Sequence, residues 1–328
     1  MMMSQEQQDD SEEDKQEIFK FDPELQLPEY GVIVFTGRSG SGKTVCILDI
    51  LSFYKDRIDQ PIVMCGSKDT CKDYAKHIPA SFVWNGFFPD RLKTMYEKQE
   101  RNVEMGKDNV LLIILDDLAY LKRSLNKDQT INRILYNGRH AHIIMFIAMQ
   151  YCKDITPDLR QQVKLIFACS EKNPQNRERL YTAFNPVFRN FNDFDKCMQA
   201  CTNNHEVFVL NNQHTSSSAI SDNVNYYKAK LNRKYLVNEC GPIWGYHRRK
   251  YDKHHYLRTD KEREEFKQQQ EKKKRNKSTT KKGGSLIDTA IVKRGKKSTK
   301  PKSSGSSICK TSNGGGKRSD VYPYAKLK

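Results

Sequence analysis

The chain has 328 residues, 37% of them hydrophobic, and 57 Lys and Arg against 40 Asp and Glu give it a formal net charge of +17. That is enough apolar material for one α/β domain of roughly 200–230 residues with appendages. No apolar run approaches the ~18 residues of a membrane span, the acidic start is not that of a signal peptide, and nine cysteines without framework spacing fit a reducing compartment.

The charge is unevenly placed. Residues 248–328 hold 26 basic against 8 acidic residues, the first twenty hold 2 against 7, and 21–247 carry only +4. The sequence therefore divides into an acidic, disordered N-terminus at 1–20, a near-neutral folded domain at 21–247 and a basic low-complexity tail at 248–328.

In chain order, an approach segment from Phe19 to Glu29, with Pro23 and Pro28, leads to an apolar strand at Val32–Phe35. Next comes Gly37-Arg38-Ser39-Gly40-Ser41-Gly42-Lys43-Thr44, followed by apolar residues at helical spacing (Val45, Leu48, Leu51). Strand, GxxxxGK[ST] loop and helix together predict a P-loop. Its backbone N–H groups and the helix N-terminus form a concave site for a triphosphate. Lys43 reaches the β- and γ-phosphates there, and Thr44 holds Mg²⁺ through its hydroxyl. ATP and Mg²⁺ are thus the expected ligands.

Pro61–Cys65 reads as a second strand, Asp69–His77 as a short helix, Phe82–Trp84 as a short strand and Pro89–Glu104 as an amphipathic helix. From Asn109 an unbroken apolar run ends on Asp116 and Asp117, as in a strand buried on both faces of a parallel sheet. Such sheets place their sites at the C-terminal ends of the strands. A carboxylate pair there can also be a helix cap. Paired with the P-loop, Asp116 is expected on Mg²⁺, and Asp117 is expected to orient or deprotonate the attacking water.

A helix over Asp128–Asn137 ends at Gly138, and the apolar strand His142–Gln150 finishes on a polar residue placed to sense the γ-phosphate or to face a loop. Arg139 precedes that strand. Its side chain therefore starts on the edge away from its own subunit's phosphates, and an arginine finger acting on a neighbour is the reading, with Arg133 and Arg123 as fallbacks. A short helix at Thr156–Gln162, a strand at Val163–Ala168, helices at Arg177–Phe184 and Phe191–Thr202, and β-like segments at Glu206–Leu210 and Val224–Lys228 complete the domain. The fold expected is a P-loop NTPase: α/β, with a mainly parallel central sheet flanked by helices.

No NKxD base-reading motif is present, which argues against a GTPase, and a nucleoside kinase usually lacks the second carboxylate. The series GRSGSGKT, LLIILDDL, GRHAHIIMFIAMQ and FVLNN…NYYKAK resembles the genome-packaging ATPases of large eukaryotic DNA viruses, poxvirus-type members of the FtsK/HerA superfamily, over about residues 25–235. The resemblance implies a homo-oligomeric ring that threads double-stranded DNA into a preformed capsid, at a capsid or portal-like vertex. It also implies that Asp117 is the catalytic carboxylate, Gln150 the sensor and Arg139 a finger reaching the neighbouring subunit. Host cytoplasm or nucleus and the virion are the places it suggests, with no membrane. A motor for plasmid transfer or DNA processing, or a nucleotide-binding DNA scaffold, would share parts of this pattern. The basic tail lies outside it and reads as a duplex clamp or a nuclear-import signal. Cys197, Cys201 and His205 fall on one helical face, a row that a buried face produces more readily than a zinc site.

Overall fold

The computed structural model describes residues 18–117, 128–150, 157–184, 187–213 and 217–250, with 264–265, 268–269 and 271–272 beyond them. The expectations for the acidic N-terminus up to residue 17, for Arg123 and for nearly all of the basic tail lie outside these residues.

The β-branched apolar runs form parallel strands because helices cover both faces of the sheet. In chain order the described elements begin with β1 (Phe19–Lys20), α1 (Pro23–Gln26), β2 (Gly31–Thr36), α2 (Lys43–Tyr54), β3 (Gln60–Cys65), α3 (Lys68–Tyr74), β4 (Val83–Asn85) and α4 (Pro89–Glu104). They continue with β5 (Leu111–Asp116), α5 (Gln129–Asn137), β6 (Ile143–Met149), α6 (Pro157–Arg160), β7 (Val163–Ala168), α7 (Pro174–Phe184) and α8 (Phe191–Cys201). The last are β8 (Val207–Asn211), α9 (Ile220–Asn223), β9 (Val224–Tyr227) and α10 (Pro242–Lys250).

Among the described residues nine strands make one sheet in the order β1-β9-β8-β7-β2-β6-β5-β3-β4. Only β8 is reversed, pairing antiparallel with both β7 and β9. Every residue of β2, β5 and β6 is buried. Phe35 at the centre stacks on Phe167 (5.1 Å) and meets Phe146 edge-on (5.5 Å). Register then places the site, since Thr36 pairs with Met149 and Asp116 with Ala148, which aligns the C-terminal ends of β2, β5 and β6 on one edge.

Three local expectations shift. The approach segment contains a short strand, β1, paired with β9, and α1, whose N-cap Asp22 accepts from Glu24 N–H. Of the helix expected over Thr156–Gln162, the described residues form it at Pro157–Arg160, with Thr156 outside the described residues. Residues around the expected 247/248 boundary form α10, which runs through to Lys250; its apolar Ile243 is buried, so this stretch packs despite the basic residues at its end.

Candidate active site

The P-loop bridges β2 and α2. At Gly37 φ is +150°, and a Cβ there would lie 2.7 Å from Ser41 Oγ and 2.8 Å from Cys169 Cβ, so the loop can turn off the strand only with glycine. Over Gly40 and Gly42 a Cβ would meet nothing within 4 Å, which leaves the concave face of the loop open. Arg38, Ser39 and Gly40 are exposed along it, and Ser41 is half-buried.

Lys43 is buried and turns its Nζ into the loop, donating to the carbonyls of Gly37 (2.6 Å) and Arg38 (2.9 Å). Burial pulls its pKa below the usual lysine value, opposed by Cys169, Asp116 and Asp117. A cation held this way has its charge desolvated and aimed at the cradle, where a phosphate would complete its environment.

Thr44 Oγ1 donates to Asp116 Oδ2 at 3.1 Å, joining the start of α2 to the end of β5. Tyr74, at the end of α3, donates its hydroxyl to the same oxygen at 2.9 Å. Asp116 is 1% exposed. Burial raises its pKa, while the Tyr74 and Thr44 hydrogen bonds and the charge of Lys43 pull it back. A hydroxyl and a carboxylate side by side are the hard-oxygen donors that fit a divalent cation otherwise held by water and phosphate.

Asp117, one residue on, adopts φ +53°, the left-handed region that a non-glycine residue seldom occupies. Its Oδ1 accepts from Gln150 Nε2 at 3.1 Å, a different partner from those of the Asp116 carboxylate. Close approach of the neighbouring strand fixes the turn. Gly66 N–H donates to Asp116 O at 2.8 Å, and a Cβ on Gly66 would fall 2.0 Å from Asp117 O.

Five of the residues singled out in the sequence (Lys43, Thr44, Asp116, Asp117 and Gln150) therefore converge at one edge. Arg139 does not join them. It follows α5, is exposed, lines a small cleft with Gly31, Gln162 and Lys164 at the opposite edge, and donates from Nε to His140 Nε2 at 3.1 Å. Strand β6, at about 3.3 Å per residue, keeps it some ~20 Å from its own P-loop edge. Arg133 is engaged elsewhere, in a two-pronged pair with Glu100 (2.9 and 3.0 Å) and over the Tyr96 ring.

Tyr74 and Gly66 are the contributors that sequence reasoning missed. A tyrosine at the end of a short helix carries no motif, and Gly66 was visible only as the residue after a strand. Cys197 and Cys201 lie on α8, which ends at Cys201, so His205 does not continue their row on that helix. Among the described residues no group of three or more His, Cys, Asp or Glu is placed to hold a metal.

A mostly parallel sheet in which one strand, β6, separates the carboxylate strand β5 from the P-loop strand β2, with a glycine-rich loop feeding a helix N-terminus, defines a P-loop NTPase. Residues 28–155 match a family model described as an AAA domain. Among sequence relatives, the chain is 29% identical over 61% of its length to an uncharacterized protein of Frog virus 3, of which it spans 62%. It is 26% identical over 66% of its length to an uncharacterized protein of Acanthamoeba polyphaga mimivirus, of which it spans 78%. Among solved structures, it is similar to the genome packaging NTPase of Sulfolobus turreted icosahedral virus 2 in complex with ATP-gammaS, at 15% identity and a TM-score of 0.44, covering 62% of this chain and 100% of that one. No helix among the described residues is long and apolar enough to cross a membrane.

Proposed function

We propose that the protein is an ATP-hydrolysing motor that translocates double-stranded DNA and packages a viral genome into a preformed capsid. The observation that carries this reading is the convergence of Lys43, Thr44, Asp116, Asp117 and Gln150 on one sheet edge, the parts needed to bind a triphosphate and direct water at it. The viral origin of the sequence relatives and the four motifs in series support the packaging role.

In this reading the P-loop amides hold the phosphates, and Lys43 Nζ leaves the loop carbonyls to offset the charge that spreads over the transferring phosphoryl group. Thr44 Oγ1 and Asp116 are the residues that would hold Mg²⁺, which would supply charge neutralisation to the phosphates. Asp117 orients the attacking water and takes its proton, while the Gln150 amide holds the Asp117 carboxylate in place. Arg139 acts in trans: its place at the edge away from its own site supports a role on a neighbour's phosphates in a ring. The basic tail supplies non-specific contacts to duplex phosphates.

The test is steady-state ATP hydrolysis with and without long duplex DNA. Hydrolysis stimulated by duplex, and abolished by Lys43→Ala, is expected. Hydrolysis that is absent, or indifferent to DNA at low salt, would refute the motor.

A further inference from the structure

Beside the P-loop helix, rather than over the loop, lies a cavity of about 790 Å³. Its walls come from Thr44, Val45 and Leu48 on α2, from His77 just past α3, and from Lys230 and Leu231 of the segment that follows β9. Its volume falls in the range of about 300–1,000 Å³ typical of small-molecule sites.

The cavity borders the phosphate site at Thr44, which lines it and also bonds Asp116. Phosphates seated on the loop amides and on the first turn of α2 leave the remainder of their molecule to run past that turn, where Val45 is 37% exposed. The lining suits such a remainder. Leu48 on the helix and Leu231 on the outer segment are the apolar groups, and Leu231, 72% exposed, has its side chain available to cover a ligand from the solvent side. Lys230 and Lys234 add cationic groups suited to polyphosphate and ribose oxygens.

The outer segment is fastened rather than loose. Asp49 of α2 is 1% exposed, and its carboxylate receives the Tyr227 hydroxyl and the Lys230 backbone N–H (2.8 Å) and pairs with the Arg233 guanidinium. Arg233 also lies over the Phe53 ring at 4.6 Å. Tyr235 donates its hydroxyl to Leu48 O at 2.6 Å and stacks on His77 at 4.3 Å, and Val237 N–H donates to His77 O at 2.9 Å. A buried carboxylate with three donors is costly to disturb, so this wall keeps its place relative to the P-loop helix.

We propose that this cavity seats the nucleoside end of the triphosphate, with Lys230–Leu236 as its outer wall and Asp49 as the positioning residue that fastens the wall. The proposal rests on the P-loop reading above, and its test separates the two. Calorimetric titration of the full chain, with Mg²⁺ throughout, compares ATP with inorganic tripolyphosphate in the wild type, Leu231→Ala and Lys43→Ala. Wild type is expected to bind ATP at least about tenfold more tightly than tripolyphosphate, and Leu231→Ala to lose about five- to tenfold for ATP while tripolyphosphate stays within about twofold. Lys43→Ala is expected to weaken both. Equal wild-type affinities, or a Leu231→Ala loss shared equally by the two ligands, would overturn the nucleoside seat and leave the P-loop reading standing. A wild type that binds neither would overturn both. Hydrogen exchange gives a second reading without any variant: amides of residues 230–236 should be protected by ATP and not by tripolyphosphate, and equal protection by both, or by neither, counts against the seat.

Discussion

Gln150 donates from Nε2 to Oδ1 of Asp117 at 3.1 Å, tying the end of β6 to the residue that follows β5. The bond gives the Asp117 carboxylate a fixed orientation at the edge where the P-loop opens, and it divides the labour there: Asp116 faces Thr44 and Tyr74, whereas Asp117 faces Gln150. Asp117→Asn is expected to bind ATP normally and to fall below about a tenth of wild-type turnover, a loss above ~1.4 kcal/mol. Gln150→Ala should lower kcat by about 10²-fold with KM little changed, because the positioning it supplies matters in the transition state. Steady-state kinetics of the two variants check both, and an Asp117→Asn enzyme with near-normal turnover would remove Asp117 from the mechanism.

Gly66 tests whether the Asp117 turn depends on its neighbour. A Cβ at 2.0 Å from Asp117 O cannot be accommodated without moving backbone. Gly66→Ala should therefore cost about 1–3 kcal/mol of stability and most of the hydrolytic activity. Melting and turnover measured on the same preparation decide it, and wild-type values for both would show that the turn is free to adjust.

Asp49 carries a different prediction, one of stability. Removing its carboxylate leaves the Arg233 guanidinium and the Tyr227 hydroxyl facing each other without an acceptor. Asp49→Ala is expected to destabilise the domain by about 3–5 kcal/mol, read as a shift of the urea midpoint. A shift under about 1 kcal/mol would mean that the segment after β9 is held by other contacts.

The tail prediction is electrostatic. Deleting 251–328 removes most of the excess positive charge while keeping α10 intact. Duplex affinity at low salt should fall, and the slope of log affinity against log salt should flatten, while basal hydrolysis persists. An unchanged slope would assign the tail another task.

Arg139 can be placed by complementation. Arg139→Ala and Asp117→Asn subunits, each inactive alone, should regain hydrolysis at intermediate mixing ratios, because some interfaces then join an intact carboxylate to an intact arginine. Fingers of this kind contribute ~10³–10⁵ in rate where they act. No activity across a titration shown to form mixed rings would exclude the trans role.

Much of this site was legible in the sequence because it sits where period and punctuation change. The runs ending at Thr36, Asp116 and Met149 are wholly buried, and continuous apolar runs of that kind mark parallel strands whose C-terminal ends must align. Lys43, Thr44, Asp116, Asp117 and Gln150 follow from that alignment. Tyr74 and Gly66 were not legible, since each acts through a contact between β3, α3 and β5 that no local pattern encodes. The pairing of β1 with β9 was hidden for a similar reason: two residues give no periodicity, and their partner lies about two hundred positions away, at Asn225 and Tyr226. Asp49 is a single acidic residue in a largely apolar helix, and no local pattern marks it out. Its meaning came only from Tyr227, Lys230 and Arg233 folding back onto it.

In the proposed motor, hydrolysis at this P-loop drives movement along double-stranded DNA. The most direct measurement is displacement of a third strand from a linear duplex, followed by the release of a labelled triplex-forming oligonucleotide. The full chain with ATP should release the oligonucleotide at a rate that grows with ATP concentration, whereas Lys43→Ala, or wild type with a non-hydrolysable analogue, should release none. Duplex-stimulated ATP hydrolysis without any strand displacement would contradict the motor and leave a DNA-dependent ATPase.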